Sequence, residues 1–276
     1  MDKSPQIGDS WRQRYDVSIF CQLLFLILKP RKSIKSHTPR YTDHFPYLDY
    51  PGDYPDFLTK NDIISWMEHY QKVMDLNIEL GVTVGKMDYN DSSHQYTVAI
   101  RSQDGNERVL TCRHVVLVTG LISNDPLRPE FENEGSFTGR IYHSVRYKSA
   151  SLIPDLGSKK VAIIGAGTSA FNIAQDFVNW GAKEVTMIQR SPTFVLAGWQ
   201  MMPMNDADLA GSSFLLPIAL TLLVGASQAM AQHDAKLLSG LEKAGLVVKR
   251  GEDGIGLLHH QLLKAGHFYI DQGACS

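Results

Sequence analysis

Residues Lys160–Ser191 read KVAIIGAGTSAFNIAQDFVNWGAKEVTMIQRS. A polar lead gives way to the apolar run Val161–Ile164, then to a glycine turn, a helical stretch over Ser169–Trp180, Gly181, and a second apolar strand over Val185–Gln189. That order is one βαβ unit of about thirty residues, which implies a parallel sheet covered by helices and an α/β fold. The turn Gly165-Ala166-Gly167-Thr168-Ser169-Ala170 fits the dinucleotide-binding pattern with alanine in the third glycine position. Gly165 permits the tight turn, Gly167 lets the backbone approach a pyrophosphate, and Ala170 allows close helix–strand packing. Thr168 and Ser169 open the helix, whose first N–H groups and positive dipole end attract an anion. The plain alternative is a strand, turn and helix of small residues, and the order of all four elements weighs against it.

The end of the second strand bears on which dinucleotide is bound, because a carboxylate there would hold the free ribose 2′-hydroxyl of NAD. The chain has Gln189-Arg190-Ser191 instead, and the planar fork of Arg190 fits a 2′-phosphate. These three residues therefore point to NADPH, against the alternative of an arginine that is merely exposed at a strand end.

Outward from this unit, 276 residues allow one or two domains. With 27 Lys and Arg against 29 Asp and Glu, the net charge of -2 gives no general reason to bind nucleic acid. Three cysteines, Cys21, Cys112 and Cys275, are too few and too scattered for a disulfide scaffold or a zinc site, so no metal is expected and a reducing, cytoplasmic setting is. The apolar runs Val17–Leu28 and Phe214–Ala226 fall short of the roughly 18 to 20 residues that span a bilayer, so no stable membrane insertion is expected, with peripheral association left open.

Upstream, Ile63, Met67, Tyr70 and Met74 recur at helical spacing behind the caps Thr59 and Asn61. Ile78, Leu80, Val82 and Val84 alternate, and Tyr96–Arg101 and Arg108–Cys112 flank Asp104-Gly105, which predicts a hairpin. Val115–Val118 reads as a short strand entering Thr119-Gly120, and residues 199–276 read as mostly helical with a turn over Gly251–Gly254.

The segment Phe137–Tyr147 sets Phe137, Gly139, His143 and Tyr147 at fixed intervals, with Gly165 following 22 residues after His143. On composition alone His143 is a structural hydrogen-bonding group. The pattern resembles the fingerprint of flavin-containing and Baeyer–Villiger monooxygenases, which stands just upstream of an NADPH-binding glycine turn. More of the chain agrees. The opening DKSPQIGDSWRQRYD resembles the family's segment after the second strand of the FAD-binding unit, with Asp2, Gly8 and Trp11 in the matching positions. HTPRYTDHFPYLDYPGDYP over His37–Pro55 resembles the stretch that passes over the flavin, and VVLVTGLISNDPLRP, containing Thr119 and Gly120, the strand and hinge that return to the NADPH domain. The likeness is greatest to fungal-type members and extends to plant indole-pyruvate monooxygenases.

The resemblance implies two dinucleotide-binding, Rossmann-like domains, with an incomplete FAD domain over 1–157 and an inserted NADPH domain over 158–276. It implies an FAD- and NADPH-dependent enzyme that inserts one oxygen atom of O2 into a small organic substrate through a flavin C4a-hydroperoxide, with His143 and Arg146 in a domain-coupling role. The family's first FAD strand and glycine turn are expected before Asp2 and its returning strands after Ser276. The alternative is a non-catalytic NADPH-binding remnant that holds FAD weakly. Residues 17–36 interrupt the resemblance and read as an aberrant insertion, because Val-Ser is what the splice-donor letters GTAAGT encode in frame; such a run is expected to pack poorly.

Overall fold

The computed structural model describes residues 1–16, 18–19, 31–32, 34–41, 44–120, 126, 128–197, 214–264, 266, 268–271 and 274–275. Most of the expected insertion and the Met-rich stretch 199–213 lie outside the described residues. The fold is α/β, in two compact units: Met1–Gln13 with Lys60–Ser123, and Arg14–Thr59 with Asn124–Ser276. The domain boundary expected between 157 and 158 lies inside the second unit. Within that unit, hydrogen bonds from Tyr147 and Ala150 to Asp176 join the fingerprint segment to the βαβ helix.

The first unit contains α1 (Asp9–Arg12), α2 (Lys60–Val73) and an antiparallel sheet of β3 (Val82–Asn90), β4 (Gln95–Ser102) and β5 (Glu107–Cys112) in that order. The hairpin falls where Asp104-Gly105 predicts it, with Gly105 at φ +87°. Alternation puts Val82, Val98 and Ile100 on one face, where they form a small core with Leu110 and Val115 alongside. On α2, Ile63, Ile64 and Trp66 are buried. The expected strand Val115–Val118 does not form. Among the described residues no strand pairs with it, so its backbone groups stay unladdered, and Val116 and Val118 are 82% and 85% exposed.

The second unit holds β1 (Ser18–Ile19) paired antiparallel with β2 (Arg31–Lys32), followed by a loop whose start is well packed: Ile34 and Ser36 are buried. Ser36 Oγ donates to Thr38 O and accepts the Leu58 N–H, so the last residues of the expected insertion are built into the fold. The βαβ unit is β6 (Lys160–Ile164), α3 (Thr168–Asn179) and β7 (Glu184–Ile188), in parallel register from Lys160↔Glu184 to Ile164↔Ile188. A second parallel pair, β8 (Phe194–Ala197) and β9 (Phe268–Asp271), is accompanied by α4 (Leu216–His233), α5 (Ala235–Lys243) and α6 (Leu257–Lys264). Phe171 of α3 stacks on Tyr269 of β9 at 4.3 Å, and Val195, Ala231, Leu238 and Val248 complete the core. Among the described residues no helix is long and apolar enough to cross a membrane.

Candidate functional site

The glycine turn lies between β6 and α3. Gly165 takes φ +128°, a conformation L side chains rarely adopt, and its N–H donates to Ile188 O at 2.9 Å, holding the turn against the end of β7. A Cβ at Gly165 or Gly167 would meet nothing within 4 Å among the described residues, so the backbone faces space there. Gly167 is extended and caps α3, its carbonyl accepting the Ala170 and Phe171 N–H groups. The N–H groups of Thr168 and Ser169, in the first turn, have no helical acceptor. Ala170 is buried and Ser169 exposed. This geometry fits a dinucleotide pyrophosphate, with space where the backbone must be approached and N–H groups without a helical acceptor at the start of a twelve-residue helix.

Two residues past Ile188, the expected 2′-phosphate set divides. The Gln189 side chain is used internally: its Nε2 donates to Val247 O at 2.8 Å and its Oε1 accepts the Val247 N–H at 2.7 Å. Arg190 is exposed and has no ion pair among the described residues, while Ser191 is half-buried. One residue of the three thus fixes the turn and one presents a charge.

The fingerprint segment is held by local contacts. A Cβ on Gly139 would come within 2.6 Å of the Phe137 ring, so these two residues occupy one place. His143 accepts the Val145 N–H through Nδ1 at 3.2 Å and caps the short 3-10 turn Ser144–Arg146, the structural role composition alone assigns it. Arg146 is exposed. Tyr147 is buried, and its hydroxyl donates to Asp176 Oδ2. Burial and that hydrogen bond push the phenol well above its usual range.

Asp176 belongs to a set that sequence reasoning missed. Thr168, Asn172 and Asp176 fall at i, i+4 and i+8 of α3 and therefore on one face. Thr168 Oγ1 donates to Phe268 O at 2.9 Å; Asn172 Nδ2 donates to Tyr15 Oη and His37 Nε2; Asp176 Oδ2 accepts from Tyr147 and from the Ala150 N–H at 2.7 Å. His37 Nδ1–H donates to Ile270 O at 2.8 Å, and loss of solvent around the ring holds its pKa below the ordinary histidine value. The legible signal was a polar residue every fourth position in a helix otherwise lined by Phe171, Ile173 and Phe177.

The residues that resemblance assigns to FAD all lie in the first unit. Asp2 bridges Leu80 in parallel fashion, and the Ser4 N–H, bonded to Asp2 Oδ1 at 2.7 Å, holds the carboxyl below its usual range. Gly8 takes φ +81° and a Cβ there would press on Ile64 at 3.3 Å. It precedes α1, which carries half-buried Trp11. Thr119 and Gly120 are exposed, with Gly120 at φ +80°.

Comparison with known proteins bears on the family and the fold. Indole-3-pyruvate monooxygenase YUCCA6 of Arabidopsis thaliana is 28% identical over 171 residues, covering 61% of this chain and 40% of its own length. The flavin-containing monooxygenase of Stenotrophomonas maltophilia matches in fold with a TM-score of 0.53 at 22% identity, over 70% of this chain and 50% of that one. A structure of OTEMO in complex with FAD and NADP matches with a TM-score of 0.50 at 19% identity, over 77% of this chain and 39% of that one. The chain thus spans half or less of the length of these relatives. Residues 56–210, more than half of the chain, match the family model of L-lysine 6-monooxygenase/L-ornithine 5-monooxygenase, and the chain belongs to that family of flavin monooxygenases.

Proposed function

We propose that the chain is the NADPH-binding domain, with part of the FAD-binding domain, of a flavin-dependent monooxygenase that uses NADPH and O2 to oxygenate a small organic substrate. The observation that carries this reading is the Gly165–Ala170 turn, open at Gly167 and docked on the end of β7, from which Arg190 projects unpaired among the described residues. The thirds of the site have separate tasks. Gly165 and Gly167 admit the pyrophosphate, the Thr168 and Ser169 N–H groups receive its charge, and Arg190 takes the 2′-phosphate with Ser191 beside it. Gln189, bonded to Val247 on both its amide atoms, holds that end of β7 still.

For FAD, the residue that fits best is Asp2, an exposed carboxyl that the Ser4 N–H holds below its usual range, able to accept from a ribose hydroxyl. Gly8, Trp11, Thr119 and Gly120 are its companions in the proposed FAD segment within 1–157, as 158–276 is the proposed NADPH domain. When bound, the flavin supplies the redox and oxygen chemistry, while the protein's part is binding, orientation and exclusion of water. His143 acts here as a cap for the 3-10 turn rather than as an acid or base. Flavin absorbance of the purified protein, with NADPH and NADH titrations, tests the reading. Tight, preferential NADPH binding is the expected result, and no binding of either nucleotide would overturn it.

A further inference from the structure

We infer that Asp176 is a positioning residue for the nucleotide: by binding the fingerprint segment, it fixes the axial placement of α3 and with it the aim of the Gly165–Ala170 turn. The inference rests on the dinucleotide reading above and deepens it. Asp176 is fully buried, with 0% of its surface exposed, in a helix whose neighbouring positions Phe171, Ile173 and Phe177 are also buried. A carboxylate in such a place is unfavourable unless donors surround it. From outside the helix the Tyr147 hydroxyl and the Ala150 N–H both donate to Oδ2. Tyr147 caps the C-terminal end of the 3-10 turn Ser144–Arg146 and Ala150 opens the next, Ala150–Leu152, so one carboxylate oxygen draws both turns onto α3.

The same face of the helix is held at two further levels. Asn172, one turn nearer the nucleotide end, bonds Tyr15 and His37, and Thr168 in the first turn bonds Phe268 O. A helix secured at i, i+4 and i+8 to three separate segments has little freedom to slide or rotate. The N–H groups of Thr168 and Ser169 are rigidly carried by that helix, so a shift at Asp176 reaches the pyrophosphate position through a single stiff element. Tyr147 thereby acquires a reason for being tyrosine: its ring packs against Tyr15, Tyr142 and Phe177, and its hydroxyl adds the bond to Asp176.

Because the turn receives the pyrophosphate that NADH and NADPH share, loss of Asp176 should weaken both nucleotides by the same factor, whereas loss of Arg190 should weaken NADPH alone. The test is to titrate NADPH, NADH and 2′,5′-ADP against the wild-type chain and against Tyr147→Phe, Asp176→Asn and the double variant, well below each variant's melting temperature. Tyr147→Phe keeps the ring and removes only the donor, so it serves if Asp176→Asn does not fold. We expect both dinucleotides to weaken by roughly 2- to 30-fold in each single variant, with unchanged stoichiometry. The double variant should be no worse than Asp176→Asn, because Tyr147 acts through Asp176. The bisphosphate, which lacks the pyrophosphate bridge, should lose less. Variants that melt earlier yet bind both dinucleotides as the wild type does would overturn the inference and leave Asp176 a stability group only. Failure of the wild type to bind any nucleotide would instead overturn the dinucleotide reading itself, and the positioning role with it.

Discussion

Gln189 uses its side-chain amide as a strand uses its backbone, giving and receiving one hydrogen bond with Val247. Nothing in the one-dimensional string QRS separates a residue that braces a turn from one that faces a ligand. Arg190 is the legible half of the pair, since a guanidinium at a strand end, with no ion pair among the described residues, has few internal uses. Arg190→Ala is expected to weaken NADPH by about 10- to 100-fold, the worth of one or two charge-assisted hydrogen bonds, and to leave NADH unchanged. Isothermal titration of both nucleotides checks it, and an equal loss for the two would remove the 2′-phosphate from the picture. Gly165 was legible for a different reason, because a tight turn between strand and helix needs positive φ. At φ +128° a side chain is strained even with open space around it, so Gly165→Ala should lower stability by about 1–2 kcal/mol in urea unfolding. An unchanged midpoint would show that the turn relaxes.

At the scale of elements, β6, α3, β7 and the hairpin were readable because each carries its own periodicity and turn chemistry. Val115–Val118 has the composition of a strand and does not become one, since a strand exists only with a partner and composition cannot say whether a partner is present. The polar face of α3 was missed for a related reason: Asn172 and Asp176 read as ordinary helix polars until Tyr15, His37 and Tyr147 arrive from distant sequence. This face makes a pH prediction. Neutral His37 donates from Nδ1 to Ile270 O and accepts from Asn172 at Nε2, so a second proton would set donor against donor. Loss of solvent lowers the folded-state pKa, with Arg14 acting the same way, against the Ile270 carbonyl and Asp271, which favour protonation. Below the model-compound value of 6.5 the unfolded chain therefore takes up the proton first, and stability falls as pH falls from there. Above that value His37 contributes no slope. Thermal melts between pH 8 and 5 should show the decline in the wild type and a shallower one in His37→Gln; parallel curves would exclude His37 as the cause.

For the molecule as a whole, the notable quantity is how much apolar surface is left uncovered. On α4 the small residues Ala219, Ser227 and Ala231 are buried while Leu216, Ile218 and Leu222 are 55%, 49% and 55% exposed, as is Leu215 just before it at 73%, so the larger side chains are on the open side. The sequence shows only that this run is too short to span a bilayer, because apolar length does not reveal which face turns inward. The ends of β6 and β7 add Ile164 and Ile188 at 61% and 49% exposure, and the exposed Val116–Val118 adds a further stretch. Single exposed apolar side chains are common in folded proteins, but contiguous sets of them drive association. The chain as given is therefore expected to self-associate with rising concentration and to bind a hydrophobic dye in the native state. Leu216→Lys with Leu222→Lys should reduce both effects, since neither side chain is part of a buried cluster and a lysine on an exposed helix position is well tolerated. Nucleotide binding at the Gly165–Ala170 turn should be unaffected, which separates a surface effect from unfolding. Light scattering across a concentration series, run beside an NADPH titration, reads both quantities. If the double variant associates as strongly as the wild type, the α4 face is not the surface responsible, and the same substitution at Val116 and Val118 becomes the deciding measurement.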